Sequence, residues 1–230
     1  MTQTPLTIAI LGGTGQEGSG LALRFARAGH RVIVGSRDAA RAAAAASGMN
    51  GTLGNGAIAG GTNRVAAAAA EIVVLTVPYA AQRATVEEVR EALRGKILID
   101  TTAPLVPPKV ARVQLPPEGS AVAAIQALLG ADVRVVSAFQ NVSAQHLRDL
   151  EHPVDCDVLV CGDDPAAREI VIGLAADIGL AAYHAGPICN SAAAEALTSV
   201  LIAMNLRYKS AGAGIRITGI GGDPIKLPNR

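Results

Sequence analysis

Short apolar runs alternate with stretches of helical spacing through most of the chain. Continuous apolar runs predict buried strands at 6–11, 31–34, 71–77, 96–100 and 133–138. Helical spacing between these runs predicts helices at about 21–26, from 39 onward, 64–70, 82–93 and 121–129. The regular alternation is typical of an α/β fold with a doubly wound parallel sheet.

The first strand runs directly into a glycine-rich turn that carries the pattern Gly13-x-Gly15-x-x-Gly18. Glycine at these positions permits a tight turn, lets the backbone approach a pyrophosphate, and lets the next helix pack closely on the strand. The phosphates would sit at the positive end of that helix. A strand, this turn and a helix near the start of the chain therefore predict a Rossmann-type dinucleotide-binding site.

The end of the second strand favours NADP(H) over NAD(H). NAD sites usually carry a carboxylate there, whereas this chain has Ser36, followed by Arg37 and Arg41. A hydroxyl and two guanidinium groups suit a 2′-phosphate, because arginine offers paired donors to phosphate oxygens. We expect Asp38 to cap the helix that starts near Ala39 instead of binding ribose.

Polar or turn-forming residues follow three further strands. They include Val77 and Pro78 after the third long strand, 101–104 after the fourth, and 139–143 after the fifth. Ligands of open α/β sheets bind outside the carboxyl ends of the strands. We therefore expect these segments to gather at one edge, with Val77 and Pro78 beside the nicotinamide.

The remainder of the chain predicts a smaller unit. Strands are expected at 157–161 and 181–185, and helices at 165–178 and 190–209. We divide the chain into a nucleotide-binding domain at 1–143 and a small C-terminal domain and tail at 144–230. Glycines across 48–61 suggest a loop with a short edge strand. The last helix carries an apolar stripe, expected as core or subunit interface: Ala193, Ala196, Leu197, Val200, Leu201 and Met204.

Composition excludes several classes of function. The net charge of +1 and the lack of a basic tract predict neither nucleic-acid nor membrane-surface binding. The chain has no long apolar span and no signal-peptide pattern, so we expect a cytoplasmic protein. Three cysteines do not form a disulfide framework, and four scattered histidines predict no metal site.

Several short motifs together resemble one known family, the NADPH-dependent reductases of the deazaflavin coenzyme F420. They lie between about residues 7 and 206, and their combination is more specific than the glycine turn alone. The motifs are 11–15 (Leu-Gly-Gly-Thr-Gly), 35–37 (Gly-Ser-Arg), 75–78 (Leu-Thr-Val-Pro), 136–138 (Val-Ser-Ala), 160–164 (Val-Cys-Gly-Asp-Asp), 185–187 (Ala-Gly-Pro) and 190–191 (Asn-Ser).

The resemblance implies a homodimer in which the deazaflavin and nicotinamide rings stack in a cleft between two domains, with direct hydride transfer. It also implies a role for each matching segment. The 2′-phosphate would be held by Thr14, Ser36, Arg37 and Arg41; the pyrophosphate by Gly13, Gly15 and Gln16, beside Gly18; the nicotinamide by Thr76, Val77 and Pro78; and the deazaflavin by the segment with Gln140, Asn141 and Val142. Members of the family carry histidine and proline where this chain has Gln140 and Ser143. We expect Gln140 to donate a hydrogen bond to a ring carbonyl in place of the histidine.

No catalytic residue is assigned. Both rings are the reactive groups, so the protein supplies alignment and electrostatics, and the sequence offers no Ser-His-Asp, Cys-His or paired-carboxylate arrangement. Two alternatives stay open. One is an NADPH-dependent reductase of another acceptor, such as a flavin or a ferric chelate, and the other is a non-catalytic NADP(H)-sensing protein.

Overall fold

A mostly parallel sheet of eight strands organises the structure, a computed structural model that describes residues 4–220. The strands are β1 Thr7–Leu11, β2 Arg31–Ser36, β3 Ile58–Thr62, β4 Ile72–Leu75, β5 Ile97–Asp100, β6 Arg134–Ser137, β7 Val158–Gly162 and β8 Ala182–His184. The helices are α1 Gln16–Arg27, α2 Ala39–Leu53, α3 Asn63–Ala69, α4 Tyr79–Leu93, α5 Ala121–Leu129, α6 Ala144–Arg148, α7 Pro165–Asp177 and α8 Ser191–Tyr208. Short 3₁₀ turns lie at Gly130–Asp132 and Ile188–Asn190.

The sheet has the strand order β3-β2-β1-β4-β5-β6-β7-β8. Strands β1 to β6 are parallel; β7 pairs antiparallel with β6, and β8 pairs parallel with β7. The chain reverses its direction of travel across the sheet between β1 and β4. The predicted α/β fold is confirmed, and this reversal point is where open α/β sheets bind ligands.

Both faces of the sheet are covered. Successive residues of β1 enter different cores: Ile8 and Ile10 pack on one side, and Ala9 and Leu11 on the other. This alternation follows from the two-residue period of a strand. All four residues of β4 are buried, as expected for a central parallel strand. With two Phe and no Trp in the chain, aliphatic residues build both cores.

Three helix boundaries differ clearly from the sequence prediction, and α1 begins at Gln16, five residues before the predicted start. The predicted loop at 48–61 is wrong in its first part, because α2 continues through Gly48 and Gly51 to Leu53 and ends at Gly54 in the left-handed conformation. Asn50 fixes this last turn, since its side chain exchanges two hydrogen bonds with the backbone of Ile58 at 2.8 and 3.0 Å. Glycine weakens a helix without forbidding it, and here tertiary contacts keep residues 48–53 helical.

Helix α4 begins at Tyr79, three residues before the predicted start at Gln82. Pro78 occupies its N-cap position, so the proline that ends the strand segment also opens the helix.

Helix α8 turns a different face to the protein than its apolar stripe predicted. Its buried residues are Ser191, Ala194, Glu195, Ser199 and Leu201. Of the predicted stripe only Leu201 is buried, while Val200 and Met204 are 44% and 42% exposed. The expectation that this stripe forms part of the core is wrong, and its use as a subunit interface stays a prediction.

The segment after β6 is fastened to α1. Arg24 donates hydrogen bonds to the carbonyl oxygens of His146, Leu147, Asp149 and His152 at 2.6–3.2 Å. A Cβ at Gly20 would lie 2.6 Å from the Leu147 side chain, so glycine is needed where α6 crosses α1.

The C-terminal segment lies along the start of β7. The Asp157 N–H donates to the Ile215 carbonyl, and the Asp157 carboxylate accepts from Ile217 N–H at 2.6 Å and from Arg216 at 3.1 Å. The last ten residues of the predicted C-terminal unit, 221–230, lie outside the described residues.

Candidate dinucleotide site

The glycine turn joins β1 to α1 at the carboxyl edge of the sheet. Gly12 has a φ of +78°, a conformation that side-chain-bearing residues rarely adopt. The Gly13 N–H donates to the Ile10 carbonyl at 3.1 Å, and the Gly15 N–H donates to the Gly12 carbonyl at 2.9 Å. These bonds fold the chain back on the end of β1, as the glycine pattern predicts.

Close packing explains two of the three glycines of the motif. A Cβ at Gly13 would lie 2.8 Å from the Ile10 carbonyl oxygen. A Cβ at Gly18 would lie 2.4 Å from Thr76 Oγ1 and 2.7 Å from the Cα of Gly13. Gly18 therefore lets α1 pack on the end of β4, whereas Gly15 is exposed and leaves the turn open to an approaching group.

The start of α1 has unpaired donors suited to an anion. Its N-cap, Gly15, makes no side-chain capping bond, whereas Asp38, Ser120 and Asp164 cap α2, α5 and α7. The first N–H groups of a helix have no partner within the helix, and the helix dipole makes that end positive. The backbone here thus fits a pyrophosphate.

Arg148 of α6 reaches this helix start and donates a hydrogen bond to Gln16 Oε1. A surface cavity of about 550 Å³ is lined by Gln16, Gln145 and Arg148, with Ala144 and Asp149. Thr14, in the turn itself, is half-buried. Gln16 therefore lies at the glycine turn. The guanidinium group of Arg148, which the sequence prediction did not include, lies beside it.

The residues predicted to select the 2′-phosphate follow β2. Ser36 is its last residue, and Arg37 and Arg41 are exposed. Asp38 accepts hydrogen bonds from the N–H groups of Ala40 and Arg41 at 2.8 and 3.2 Å, which confirms the predicted helix cap. One carboxylate oxygen of Asp38 thus caps α2, and the exposed guanidinium groups of Arg37 and Arg41 lie at the same corner.

Thr76 and Val77 lie directly against the glycine turn. The Thr76 hydroxyl donates to the Leu11 carbonyl at 2.9 Å. A Cβ at Gly12 would lie 2.7 Å from Val77 Cγ1. The structure thus brings the ends of β1 and β4 together, with Pro78 exposed beside them.

Gln140, Asn141 and Val142 follow β6 at the same edge but turn their side chains inward, with exposures of 5%, 2% and 7%. The Gln140 amide donates both hydrogens within the protein, to the Asp100 carbonyl and to Ser137 Oγ, each at 2.8 Å. The expected hydrogen bond from Gln140 to a deazaflavin carbonyl is therefore wrong for this conformation, because no amide hydrogen is left to donate.

Two buried carboxyl groups lie at this edge, and the sequence argument assigned neither of them. Burial raises the pKa of Asp100, at the end of β5, to about 6, partly offset by hydrogen bonds from Thr102 and Gln82. Burial likewise raises the pKa of Glu17 to about 8; the Thr101 hydroxyl opposes this rise and the Asp100 charge adds to it. A charged residue between two motif glycines was the feature of the sequence that could have identified Glu17.

Glu195 of α8 is also buried, but its carboxylate is fully used. It accepts from the N–H groups of Ala121 and Val122 at 2.8 and 3.2 Å, and from the hydroxyls of Ser120 and Ser191 at 2.6 and 3.0 Å. This carboxylate satisfies the start of α5 and fixes α8 beside the sheet.

A parallel sheet with an open glycine turn at its reversal point defines a dinucleotide-binding α/β protein. Solved structures agree with this class. A protein from Arthrobacter sp. FB24, assigned as an F420-dependent NADP reductase, matches with a TM-score of 0.79 and 28% identity over 93% of this chain and 100% of its own. The fold of Plasmodium falciparum pyrroline carboxylate reductase matches with a TM-score of 0.53 and 14% identity, over 77% of this chain and 56% of its own.

Sequence comparison identifies the family within this class. Residues 7–104 match the family described as NADP oxidoreductase coenzyme F420-dependent. The F420-dependent NADP reductase of Methanocaldococcus jannaschii is 42% identical over 223 residues, covering 94% of this chain and 99% of its own. That of Methanothermobacter thermautotrophicus is 43% identical over 222 residues, covering 94% and 96%. The chain belongs to the family of F420-dependent NADP reductases, as its motifs predicted.

Proposed function

We propose that this protein transfers a hydride between NADP(H) and coenzyme F420. The observation that carries the proposal is the open glycine turn at the reversal point of the sheet, with Arg37 and Arg41 at the neighbouring strand end. The turn fits a pyrophosphate, and the arginines fit the 2′-phosphate that distinguishes NADP from NAD. Membership of the family supplies the second coenzyme.

The chain's own residues bind and orient in this proposal. Gly13, Gly15 and the start of α1 hold the pyrophosphate, and Ser36 with the two arginines holds the 2′-phosphate. Val77 and Pro78 lie against one side of the nicotinamide. When bound, the two coenzymes supply the hydride donor and acceptor, so no protein acid, base or nucleophile is required. Alignment of the rings is then the main contribution of the protein.

The deazaflavin is placed in a cleft between the domain at 1–143 and the part at 144–230. Support comes from the position of residues 139–143, which follow β6 at the same edge as the glycine turn. Since the Gln140 and Asn141 side chains are buried, we assign contact with the coenzyme to the backbone of this segment and to its rim at Ser143.

We further propose that two copies associate through α8. Four large apolar side chains are exposed on the second half of this helix: Val200, Met204, Leu206 and Tyr208. Leu206 and Tyr208 are 71% and 74% exposed, which is costly for large apolar groups in water.

None of the helices in the described part of the chain is both long and apolar enough to cross a membrane. We propose a cytoplasmic location.

The decisive experiment mixes the purified protein with NADPH and oxidised F420 and follows the loss of the deazaflavin absorbance. We expect rapid bleaching with NADPH, and little with NADH at equal concentration. FMN and a ferric chelate serve as parallel acceptors. Tight NADPH binding with turnover of one of these acceptors alone would contradict the F420 assignment. Tight binding without any turnover would indicate a nucleotide-sensing protein.

A further inference from the structure

Glu17 lies between the glycine turn and the ends of β4 and β5. It is in the first turn of α1, next to Gly18, which packs on Thr76 at the end of β4. Thr101 and Asp100, at the end of β5, both influence the pKa of its carboxyl group, and the Thr101 hydroxyl and N–H each donate to the Leu75 carbonyl at 3.1 Å. The carboxyl group therefore occupies the edge where we place the nicotinamide.

The Glu17 carboxyl group is poorly satisfied for a buried group. Its Oε1 atom is removed from solvent and has no hydrogen-bond partner among the described residues, although the residue as a whole is partly exposed. Leaving a buried polar atom unpaired is unfavourable, and an apolar side chain would fill the same space without that cost. The contrast with Glu195, whose carboxylate accepts four hydrogen bonds, indicates that Glu17 is not there to cap or fasten an element.

The charges around Glu17 hold it near the balance between its two forms. The Asp100 charge on β5 repels the ionised form of Glu17, and Glu195 on α8 acts in the same direction on Asp100. The start of α1 favours negative charge at this position. On α6, Arg148 is engaged with the neighbouring Gln16. Burial dominates, which keeps the group mostly protonated at neutral pH in the free protein.

We propose that Glu17 senses the charge of the nicotinamide: it releases its proton when NADP⁺ binds and regains one when the ring becomes NADPH. This inference rests on the proposed function. The oxidised ring is positive and the reduced ring is neutral, so a nearby carboxylate is stabilised only by the oxidised form. On NADP⁺ binding the carboxyl proton goes to water. With the neutral, reduced ring bound, the carboxylate would take one proton back from water. This proton is separate from the hydride, which the second coenzyme would supply.

Linkage gives the expected pH dependence. Because NADP⁺ binding releases a proton from Glu17, NADP⁺ binds more tightly as pH rises, until the group is ionised in the free protein as well. NADPH carries the same phosphates but no positive ring, so it lacks the part of this dependence that the ring charge causes. The ratio of the NADP⁺ to the NADPH dissociation constant should therefore fall about tenfold between about pH 6.5 and about pH 8.5. Taking the ratio removes the titration of the 2′-phosphate, which both nucleotides carry.

Calorimetry tests the proposal without turnover. Each nucleotide is titrated into the protein at about pH 7.5 in two buffers of different ionisation enthalpy, which counts the protons released on binding. We expect NADP⁺ to release roughly half a proton or more beyond NADPH. Glu17→Gln should abolish the difference. Glu88→Gln, which removes an exposed carboxylate of α4, should retain it. Circular dichroism checks folding, and Glu17→Leu is a second non-titrating variant.

The outcomes separate this inference from the proposed function. Equal proton release by both nucleotides in the unmodified protein would overturn the role of Glu17 while leaving the reductase assignment intact. A difference that persists in Glu17→Gln and Glu17→Leu would overturn it too, because another group must then titrate. Failure of both nucleotides to bind would overturn the inference together with the proposed function.

Discussion

At the scale of single residues, the site is defined by which polar groups are occupied and which are left over. Asp38 uses its Oδ1 atom to accept from the N–H groups of Ala40 and Arg41 at the start of α2. Arg37 and Arg41 are exposed, and among the described residues neither forms a salt bridge. The end of β2 therefore presents two exposed guanidinium groups.

This arrangement predicts that Arg37→Ala weakens NADPH binding by roughly 1.5–3 kcal/mol, the value of a lost charge-assisted hydrogen bond. NADH, which lacks the 2′-phosphate, should bind almost unchanged. Fluorescence titration of both nucleotides measures the effect, with Arg31→Ala on the exposed start of β2 as a matched control. Equal losses for the two nucleotides would contradict the assignment of Arg37.

At the scale of elements, the glycines of α1 and α2 differ in whether close packing requires them. Gly18 lies where α1 packs against the end of β4, and a Cβ there would meet Thr76 Oγ1 and Gly13. Gly48 lies in α2 on the exposed side, and a Cβ there would meet no atom within 4 Å. Only the first is required by the fold.

We therefore expect Gly18→Ala to lower both stability and nucleotide affinity, since helix α1 must shift to accept the methyl group. Gly48→Ala should raise the free energy of unfolding by about 0.5–1 kcal/mol, because alanine is the better helix former. Urea unfolding monitored by circular dichroism compares the two variants with the parent. If Gly18→Ala were as stable as the parent protein, the tight packing of α1 on the end of β4 would be contradicted.

At the scale of the whole molecule, the buried carboxyl groups make stability depend on pH. Glu17 and Asp100 have pKa values raised by burial, to about 8 and about 6, from 4.5 and 3.8. Between the ordinary and the raised values, the folded state holds protons that the unfolded chain has released. Their favourable contribution is complete below the ordinary pKa values and is lost as pH rises through the raised ones.

Stability should accordingly fall from about pH 6 to about pH 8.5, with Glu17 contributing about 2 kcal/mol of the change. Glu17→Gln should remove most of that contribution, whereas Glu88→Gln should not. Urea unfolding at both pH values gives the comparison. A pH dependence identical in Glu17→Gln and the parent would indicate that Glu17 is not perturbed in the folded state.

Association of two copies is also a property of the whole molecule. Met204→Glu places a charge on the exposed face of α8. Met204 is 42% exposed in the single chain. If α8 joins two copies, burying this charge is unfavourable and the variant should sediment as a monomer. Glu91→Lys on α4 provides a surface-charge control. Unchanged sedimentation of Met204→Glu would place the contact elsewhere.

Sequence patterns predicted the elements better than their contacts. Continuous apolar runs located the parallel strands, and the glycine spacing located the turn, because both depend on local or strictly periodic rules. The inner face of α8 was missed because it is polar: Glu195 faces inward and accepts a hydrogen bond from Ala121 at the start of α5, 74 residues away in the sequence. Likewise the inward turn of Gln140 depends on Asp100 and Ser137, and no local pattern encodes that pairing.

The ends of the sheet bear on how this protein avoids aggregation. Strand β8, at one end, is only three residues long, so it offers little unpaired backbone to another chain. At the other end, β3 lies so close to α2 that a Cβ at Gly60 would be 2.4 Å from the Ala42 carbonyl oxygen. Helix α2 therefore packs on a face of β3, while Ala59 and Gly60 of that strand are exposed. Brevity limits the border at β8, so strand-to-strand growth between molecules is disfavoured there.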